Sequence, residues 1–592
     1  MAAYLGICRA VTATASWTLV AKHILLYRTT SKDSVDMSQQ QMQGQPMIIL
    51  GEDAQRMKDK SAQEHNIAAA RAVAESVRST LGPKGMDKML VTSLGDIVVT
   101  NDGVTILEEM DIDNPTAEMI VEVAETQESE AGDGTTTAVA IAGELLKNAE
   151  DLLEQDIHPT AIIKGFDLAA EQAREELDDM AIEIDSSDDE VLKQVAGTAM
   201  TGKGAEQHKE HLSDIVVDGA QAVTVDAEDG STIVDLAFLK IETQTGRSAG
   251  DSELLNGAVI DKDAVHEDMP QAVEDGDVLL LDSALELDEA EADTQVSVTD
   301  PNQIQDFIEQ EEKELKAMVD KIVDIGADIV CCQKGIDDMV QHYLAKEGIL
   351  ALRRVKRSDM EFLREVLGAD IVSDLDTATE EYLGSGSIER DVDEELFYVE
   401  GTGDEVHGVT MLLRGSTEHV VDEIERGVQD ALDVVGAALS TGQVLPGGGA
   451  PEVELAQRLN DYADSVSGRE QLAIEAFADS LEVVPRVLAG NAGLDSIDAL
   501  VDIRAAHADG DEHAGLNVFT GEIDDTFEAG VVETARAKKQ GISSASEAAN
   551  LVLKIDDVIS AGDLSTEGEE EGGPGGGMGG MGGMGGGMGG MM

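Results

Sequence analysis

The sequence is short of positive charge. Its 592 residues carry 41 Lys plus Arg against 121 Asp plus Glu, a formal net charge of -80. A surface so negative repels phosphate backbones and anionic headgroups, which argues against nucleic acid and membranes as partners. Cysteine is nearly missing: Cys8 and the adjacent pair Cys331 and Cys332 form no CxxC and no Cys/His metal spacing. That excludes a disulfide scaffold and fits a reduced, cytoplasmic setting, with Cys331 and Cys332 continuing the apolar run Ile329-Val330 as a buried strand. No GxxxxGK[ST] loop occurs, and the pieces Gly384-Ser385-Gly386 and Gly401-Thr402-Gly403 lack the rest of a dinucleotide fingerprint. The 11 histidines show no ligand spacing.

What is present is acid, spread along the body (171–190, 226–229) rather than confined to one face. In ordinary buffer its self-repulsion opposes compaction. At about 1 M salt the screening length shortens to about 3 Å and the repulsion largely vanishes, so the composition reads as adaptation to a salty cytoplasm.

The two ends differ from the body. Residues 1–36 hold the only tryptophan, Trp17, and are basic; their apolar stretches are broken by Arg9, Lys22 and His23, so no membrane span is expected there. They read as a targeting leader or as a start assigned upstream of Met37; the second is adopted, and they are set outside the fold. Residues 572–592 contain only Gly, Met and Pro574, after the acidic 567–571. So glycine-rich a thread cannot offset its ordering entropy, and a mobile tail over 563–592 is expected.

Between them, helical and strand-like stretches alternate. The spacing predicts helices over 65–81, 135–155, 303–323, 337–346, 451–459 and 470–488, and strands over 97–100, 233–241, 278–281 and 329–332. Mixed sequence fills the middle and helical sequence both flanks, so the pattern predicts a helical domain built from both chain ends with α/β material inserted.

Three glycine-punctuated loops carry charged or hydroxyl groups. Gly132-Asp133-Gly134-Thr135-Thr136-Thr137 opens a long apolar helix; its glycines admit an anion to backbone N–H groups, and Asp133 makes sense there with a bridging Mg²⁺. Alone, the hexamer is equally a helix cap. Leu81-Gly82-Pro83-Lys84-Gly85 is a rigid turn bearing a cation, alone no more than a helix stop. Asn101-Asp102-Gly103 is by itself a turn signal. Together, all between Leu81 and Thr137, they point to a phosphate site.

Six motifs follow in order: LGPKGMDKML (81–90), NDGVTIL (101–107), GDGTTTAV (132–139), TGKGAE (201–206), RGSTEHVVDEIER (414–426) and LPGGGAPEVELA (445–456). The chain thereby resembles the group II chaperonins, most closely the archaeal thermosome subunits, from about Met47 to Ile559. The resemblance implies a multidomain α+β fold: a helical equatorial ATP-binding domain (37–184 and 441–562), a small intermediate α/β hinge domain (185–255 and 401–440), and an inserted apical client-binding α/β domain (256–400) with a helical protrusion, the lid, at about 283–316. It implies ATP hydrolysis with Mg²⁺, and possible K⁺, in two stacked rings of like or related subunits that close over unfolded client proteins.

Site roles carry over by position. Leu81, Gly82, Pro83, Lys84 and Gly85 would contact phosphates. Asp133 would hold Mg²⁺, with Gly134, Thr135, Thr136 and Thr137 around the β- and γ-phosphates. Asp102 and Asp430 would act in hydrolysis, although Asp422, Glu423, Glu425 and Asp433 lie close to Asp430. Lys203 would sense the γ-phosphate, Gly448 would lie against ribose and base, and Glu533 would bond the ribose, its alternative being a solvated acid. Ala131, Ser496 and Thr534 depart from the usual family residues without removing a charged group. The competing readings are a stand-alone ATPase or kinase and a passive holdase ring.

Overall fold

The computed structural model describes residues 56–58, 60–91, 95, 97–110, 112–202, 206–226, 232–287, 301–402 and 408–559. The leader 1–36, Lys203, the stretch 288–300 of the expected lid and the tail 563–592 lie outside the described residues.

Alanine-rich amphipathic stretches and β-branched runs bury three large apolar cores. The first is mainly helical and draws on both halves of the chain. Lys60–Arg78, Pro115–Ala131, Thr135–Glu154 and Pro159–Met180 supply one half; Ala450–Ala463, Arg469–Leu481, Val483–Asn491 and Ala535–Lys554 supply much of the other. Local chemistry sets their ends: Pro115 and Pro159 stand in the first turn behind the capping side chains of Asn114 and His158. At the centre, Phe166 and Phe477 meet edge to face at 5.7 Å, joining segments some three hundred residues apart.

The second core lies within 258–399. Its sheet runs in the order Leu350–Leu352, Ile329–Cys332, Ala272–Leu281, Gly384–Asp391, Leu396–Gly401, Ala258–Ile260, with Ile371–Val372 also on Ala272–Leu281. Ile329–Cys332 is parallel to both neighbours and wholly buried, as a strand covered on both faces must be. Pro301–Ile325, Asp338–Glu347 and Arg357–Leu367 are the helices of this part.

The third core joins Asp189–Ala199, Lys209–Ala222 and Glu418–Thr441 to a sheet with Val409–Gly415 between parallel Leu239–Thr245 and antiparallel Glu253–Asn256. Strand Gln443–Pro446 links two cores by its period of two: Val444 belongs to the third and Leu445 to the first.

Two expected elements are divided. The strand over 233–241 is broken by a 3-10 turn, Leu236–Phe238, where the Asp235 carboxylate accepts from the Ala237 N–H. The helix over 470–488 splits at Glu482, because Pro485 has no N–H with which to continue the ladder to Leu481. The helix expected over 65–81 runs Lys60–Arg78.

Candidate nucleotide site

The helix Thr135–Glu154 begins without a side-chain cap. Its N-cap is Gly134, left-handed at φ 82, and Gly132 is also left-handed at φ 67. Asp133 therefore does not serve as the cap, and the helix start is left to the backbone. Gln127 holds the loop from behind, its Nε2 donating to the Asp133 carbonyl at 2.6 Å and to the Ala537 carbonyl at 3.1 Å.

Asp102 N-caps the short helix Gly103–Glu108, as a turn-forming Asp can. Its Oδ2 accepts from the Thr105 N–H at 2.9 Å and the Thr105 hydroxyl at 2.6 Å, which fixes the carboxylate. A Cβ on Gly103 would fall 2.5 Å from Thr136 Oγ1, so only glycine lets the two loops close on each other. Asn101 Nδ2 donates to the Gly202 carbonyl at 2.6 Å and draws in a third loop.

These loops converge on a cavity of about 350 Å³. Of the residues singled out in the sequence, Leu81, Gly82, Pro83, Asp102, Asp133, Gly134, Thr135, Thr136, Thr137, Gly448 and Glu533 line it. Lys84 and Gly85 are not among its lining residues: Lys84 Nζ stands 4.6 Å over the ring of Phe519, and Phe519 is itself in the wall. Asp430 faces an adjoining cavity of about 230 Å³, shared with Asn101 and Asp102. Its helix, Glu418–Thr441, reaches the phosphate-type loop directly, since a Cβ on Gly132 would lie 2.2 Å from the Asp433 Cβ. Burial there pushes the Asp433 carboxyl up.

Glu533 is not a solvated acid. Its Oε2 pairs at 2.5 Å with Lys538 Nζ. Burial pushes its carboxyl up, the Lys538 ammonium pulls it back, and the Glu452 carboxylate raises it again. Thr534, one of the departures noted above, caps the helix Ala535–Lys554 by accepting from the Ala537 N–H.

Sequence reasoning missed Lys209 and Lys538, two cations of the wall. Lys209 Nζ donates to Thr201 Oγ1 at 3.2 Å. Each is a lysine at a helical position, and nothing local separates it from a solvated one. Their scarcity was the available signal, in a chain with 41 basic residues.

The donors suit a hard cation. Among the described residues no group of three or more His, Cys, Asp and Glu could hold a metal by itself. Asp133 with threonine hydroxyls nearby suits Mg²⁺, which takes one or two carboxylates and completes its shell with substrate phosphate and water.

An α+β subunit with three cores and a glycine-loop cavity between distant segments is the architecture of a chaperonin. Residues 73–563 match the TCP-1/cpn60 chaperonin family, and the chain belongs to it. It is 70% identical over 542 residues to thermosome subunit 2 of Haloferax volcanii, covering 91% of this chain and 97% of that one. Thermosome subunit 1 of the same organism is 57% identical, over 91% and 97%. The solved open-state monomer of a group II chaperonin from Methanococcoides burtonii superposes with a TM-score of 0.57 at 44% identity, covering 72% of this chain and all of that one. The protein is thus a group II chaperonin subunit of the thermosome type, haloarchaeal in character, and works as an ATP-dependent protein-folding chaperonin.

Proposed function

We propose that the 350 Å³ cavity binds Mg-ATP, that Asp102 and Asp430 direct its hydrolysis, and that the first, third and second cores are the equatorial, intermediate and apical domains of a ring subunit. The carrying observation is that Asp102 stands in two cavities at once, with Asp133 in one and Asp430 in the other. Loop amides of Gly134 to Thr137 and the Lys209 ammonium would receive the phosphates. Mg²⁺ bound at Asp133 would neutralise charge on the phosphate oxygens. Asp102 and Asp430 would orient a water between them and take its proton as its oxygen bonds the γ-phosphorus and the bond to the β,γ-bridging oxygen breaks, yielding ADP and phosphate. Lys203, whose structure is not described, would sense the γ-phosphate. Because Asp430 rides on Glu418–Thr441, a helix of the third core, closure of that part would complete the site and couple turnover to movement.

Two surfaces support the assembly and its client. The hairpin Lys88–Val91 with Ile97–Thr100 exposes Met89, Val91, Ile97 and Val99. A two-stranded ribbon is marginal alone and offers free edges, so it suits pairing with a neighbouring subunit. In the apical part, Val323 and Met339 are exposed on the neighbouring helices Pro301–Ile325 and Asp338–Glu347, a fitting contact for unfolded chain. Two kinds of thermosome subunit in one organism favour mixed rings. No described helix is long and apolar enough to cross a membrane, in keeping with work in the cytoplasm.

The test is refolding of a denatured client in about molar KCl, with and without Mg-ATP, alongside sedimentation. ATP-dependent refolding by a particle near a megadalton is expected; a monomer or dimer that turns over ATP without refolding would point to a stand-alone ATPase or kinase. Refolding without turnover would leave a passive ring. Lowering the salt should dissociate the assembly, because the charge of -80 is then unscreened.

A further inference from the structure

A buried triplet of charges stands in and behind the cavity wall. Lys538, on Ala535–Lys554, is 8% exposed, and its Nζ lies 2.6 Å from Glu452 Oε1 and 2.5 Å from Glu533 Oε2. Glu452, on Ala450–Ala463, is 2% exposed, and its Oε2 is buried without a hydrogen-bond partner. Lys538 and Glu533 both face the cavity. Taking such charges out of water costs several kcal/mol per ion, and apolar residues would often hold two helices together as well. The placement therefore calls for a reason other than stability.

The second oxygen of Glu533 supplies it. Oε1 lies against Gly447, where a Cβ would come within 2.8 Å of it. Gly447 precedes Gly448, which lines the cavity, and its N–H donates to the Val531 carbonyl at 2.8 Å, two residues before Glu533. One oxygen of the carboxylate is thus held by the lysine, and the other is turned to the glycine wall where a sugar would lie. We propose that Lys538, anchored on Glu452, is the positioning residue for the ribose end of the nucleotide: it holds Glu533 by Oε2 so that Oε1 accepts a ribose hydroxyl. This rests on the reading that Glu533 bonds the ribose. Burial opposes the Lys538 ammonium, but the two carboxylates outweigh it and keep it charged. If the triplet merely braced one helix on another, sugar recognition would not depend on it.

The experiment measures KM and kcat for ATP, 2′-deoxy-ATP and 3′-deoxy-ATP with the assembled full chain in about molar KCl. The unaltered protein should prefer ATP by about tenfold in KM over at least one deoxy analogue, the size of a hydrogen bond to a charged group. Glu533→Ala should abolish that preference; if it does not, the ribose reading itself falls, and this inference with it. Lys538→Met would leave two buried carboxylates facing each other, so the Glu452→Gln/Lys538→Met double variant, which keeps the triplet's net charge, is the one to read. It should bring the preference to within about twofold of one while kcat on ATP stays within about threefold. A double variant that keeps the full preference while Glu533→Ala loses it overturns the role of Lys538 alone. Should the double variant not assemble, Glu452→Gln is read instead: a preference about threefold weaker supports the anchor, and an unchanged one overturns it.

Discussion

The proposed nucleotide cavity and the sheet of the central insertion bury opposite chemistry. Around the cavity the chain buries Lys538 and Glu452 and, farther along the helix Thr135–Glu154 that opens at the cavity, Glu144. In the insertion, Val278, Leu279, Leu280, Leu281 and the whole of Ile329–Cys332 are apolar or thiol and shielded on both faces. Buried charge is expensive and directional, whereas buried hydrocarbon is cheap and indifferent to direction. The first region is therefore built to hold groups in place and the second to hold a shape. Substitutions in one should read out in chemistry, and in the other in stability.

Asp102 is the sharpest place to break that division, because it caps a helix and is the acid proposed to activate water. Asn also caps helices, so Asp102→Asn should keep the cap to Thr105 while ATP turnover falls by about 10²- to 10⁴-fold, the usual worth of a general base. Asp102→Ala should lose turnover equally and in addition cost about 1 kcal/mol of stability. Steady-state phosphate release and thermal melting of both variants decide it; full turnover in Asp102→Asn would show the carboxylate to be a cap alone.

The converse belongs in the insertion. Leu280 is fully buried in its central strand. Leu280→Ala should cost about 2–5 kcal/mol, seen as an earlier calorimetric transition, while phosphate release per folded subunit stays within about twofold and client refolding drops. A matching loss of turnover well below the melting point would mean that the two regions are not separable in this way.

Part of this contrast was legible in the sequence. The GDGTTT loop, the Asp102 turn and the strand Ile329–Cys332 each carry their signal within a few residues, and each lies where the spacing put it. What escaped depends on contacts between distant segments. That Lys84 contacts phosphate is what the resemblance implies; its place over the ring of Phe519 could not be seen from LGPKG. Lys538 looks like any lysine of an amphipathic helix until Glu452, eighty-six positions away, is brought beside it. The division of 470–488 was the avoidable miss, since Pro485 was in plain view and its missing N–H outweighs a helical apolar period.

Glu144 sharpens the comparison by pH. It is 3% exposed on Thr135–Glu154, and burial pushes its carboxyl up, but Lys147, Arg486 and Arg78 outweigh burial and hold it below its ordinary 4.5. A folded value below the unfolded one means that its stabilisation is complete above about pH 4.5 and is lost as the pH falls through the lowered value. Glu144→Gln should flatten the acid limb of the stability curve below its ordinary 4.5 and leave neutral-pH turnover alone. The effect should be modest, because Lys147 and Arg486 are themselves partly exposed and salt screens them. Denaturant titrations at several pH values measure it; an acid limb as steep in the variant would assign the slope to other carboxylates.

The smallest effect should come from the two thiols. Burial pushes Cys331 up to about 12 and Cys332 to about 11, and the Cys332 thiol donates to the Ser283 carbonyl at 3.2 Å. Neither is then a nucleophile in the folded chain, and both act as small apolar fillers. At pH 8 their thiolate fractions alone make alkylation about a hundredfold or more slower than for an ordinary thiol, before access is considered. Cys331→Ala should cost only about 1 kcal/mol and change neither turnover nor refolding. Mass spectrometry after iodoacetamide, with and without denaturant, checks the first statement. Rapid labelling of either cysteine in the native protein would mean that the sheet opens far more readily than its buried strand implies, and that the insertion, rather than the cavity, is the yielding part of the molecule.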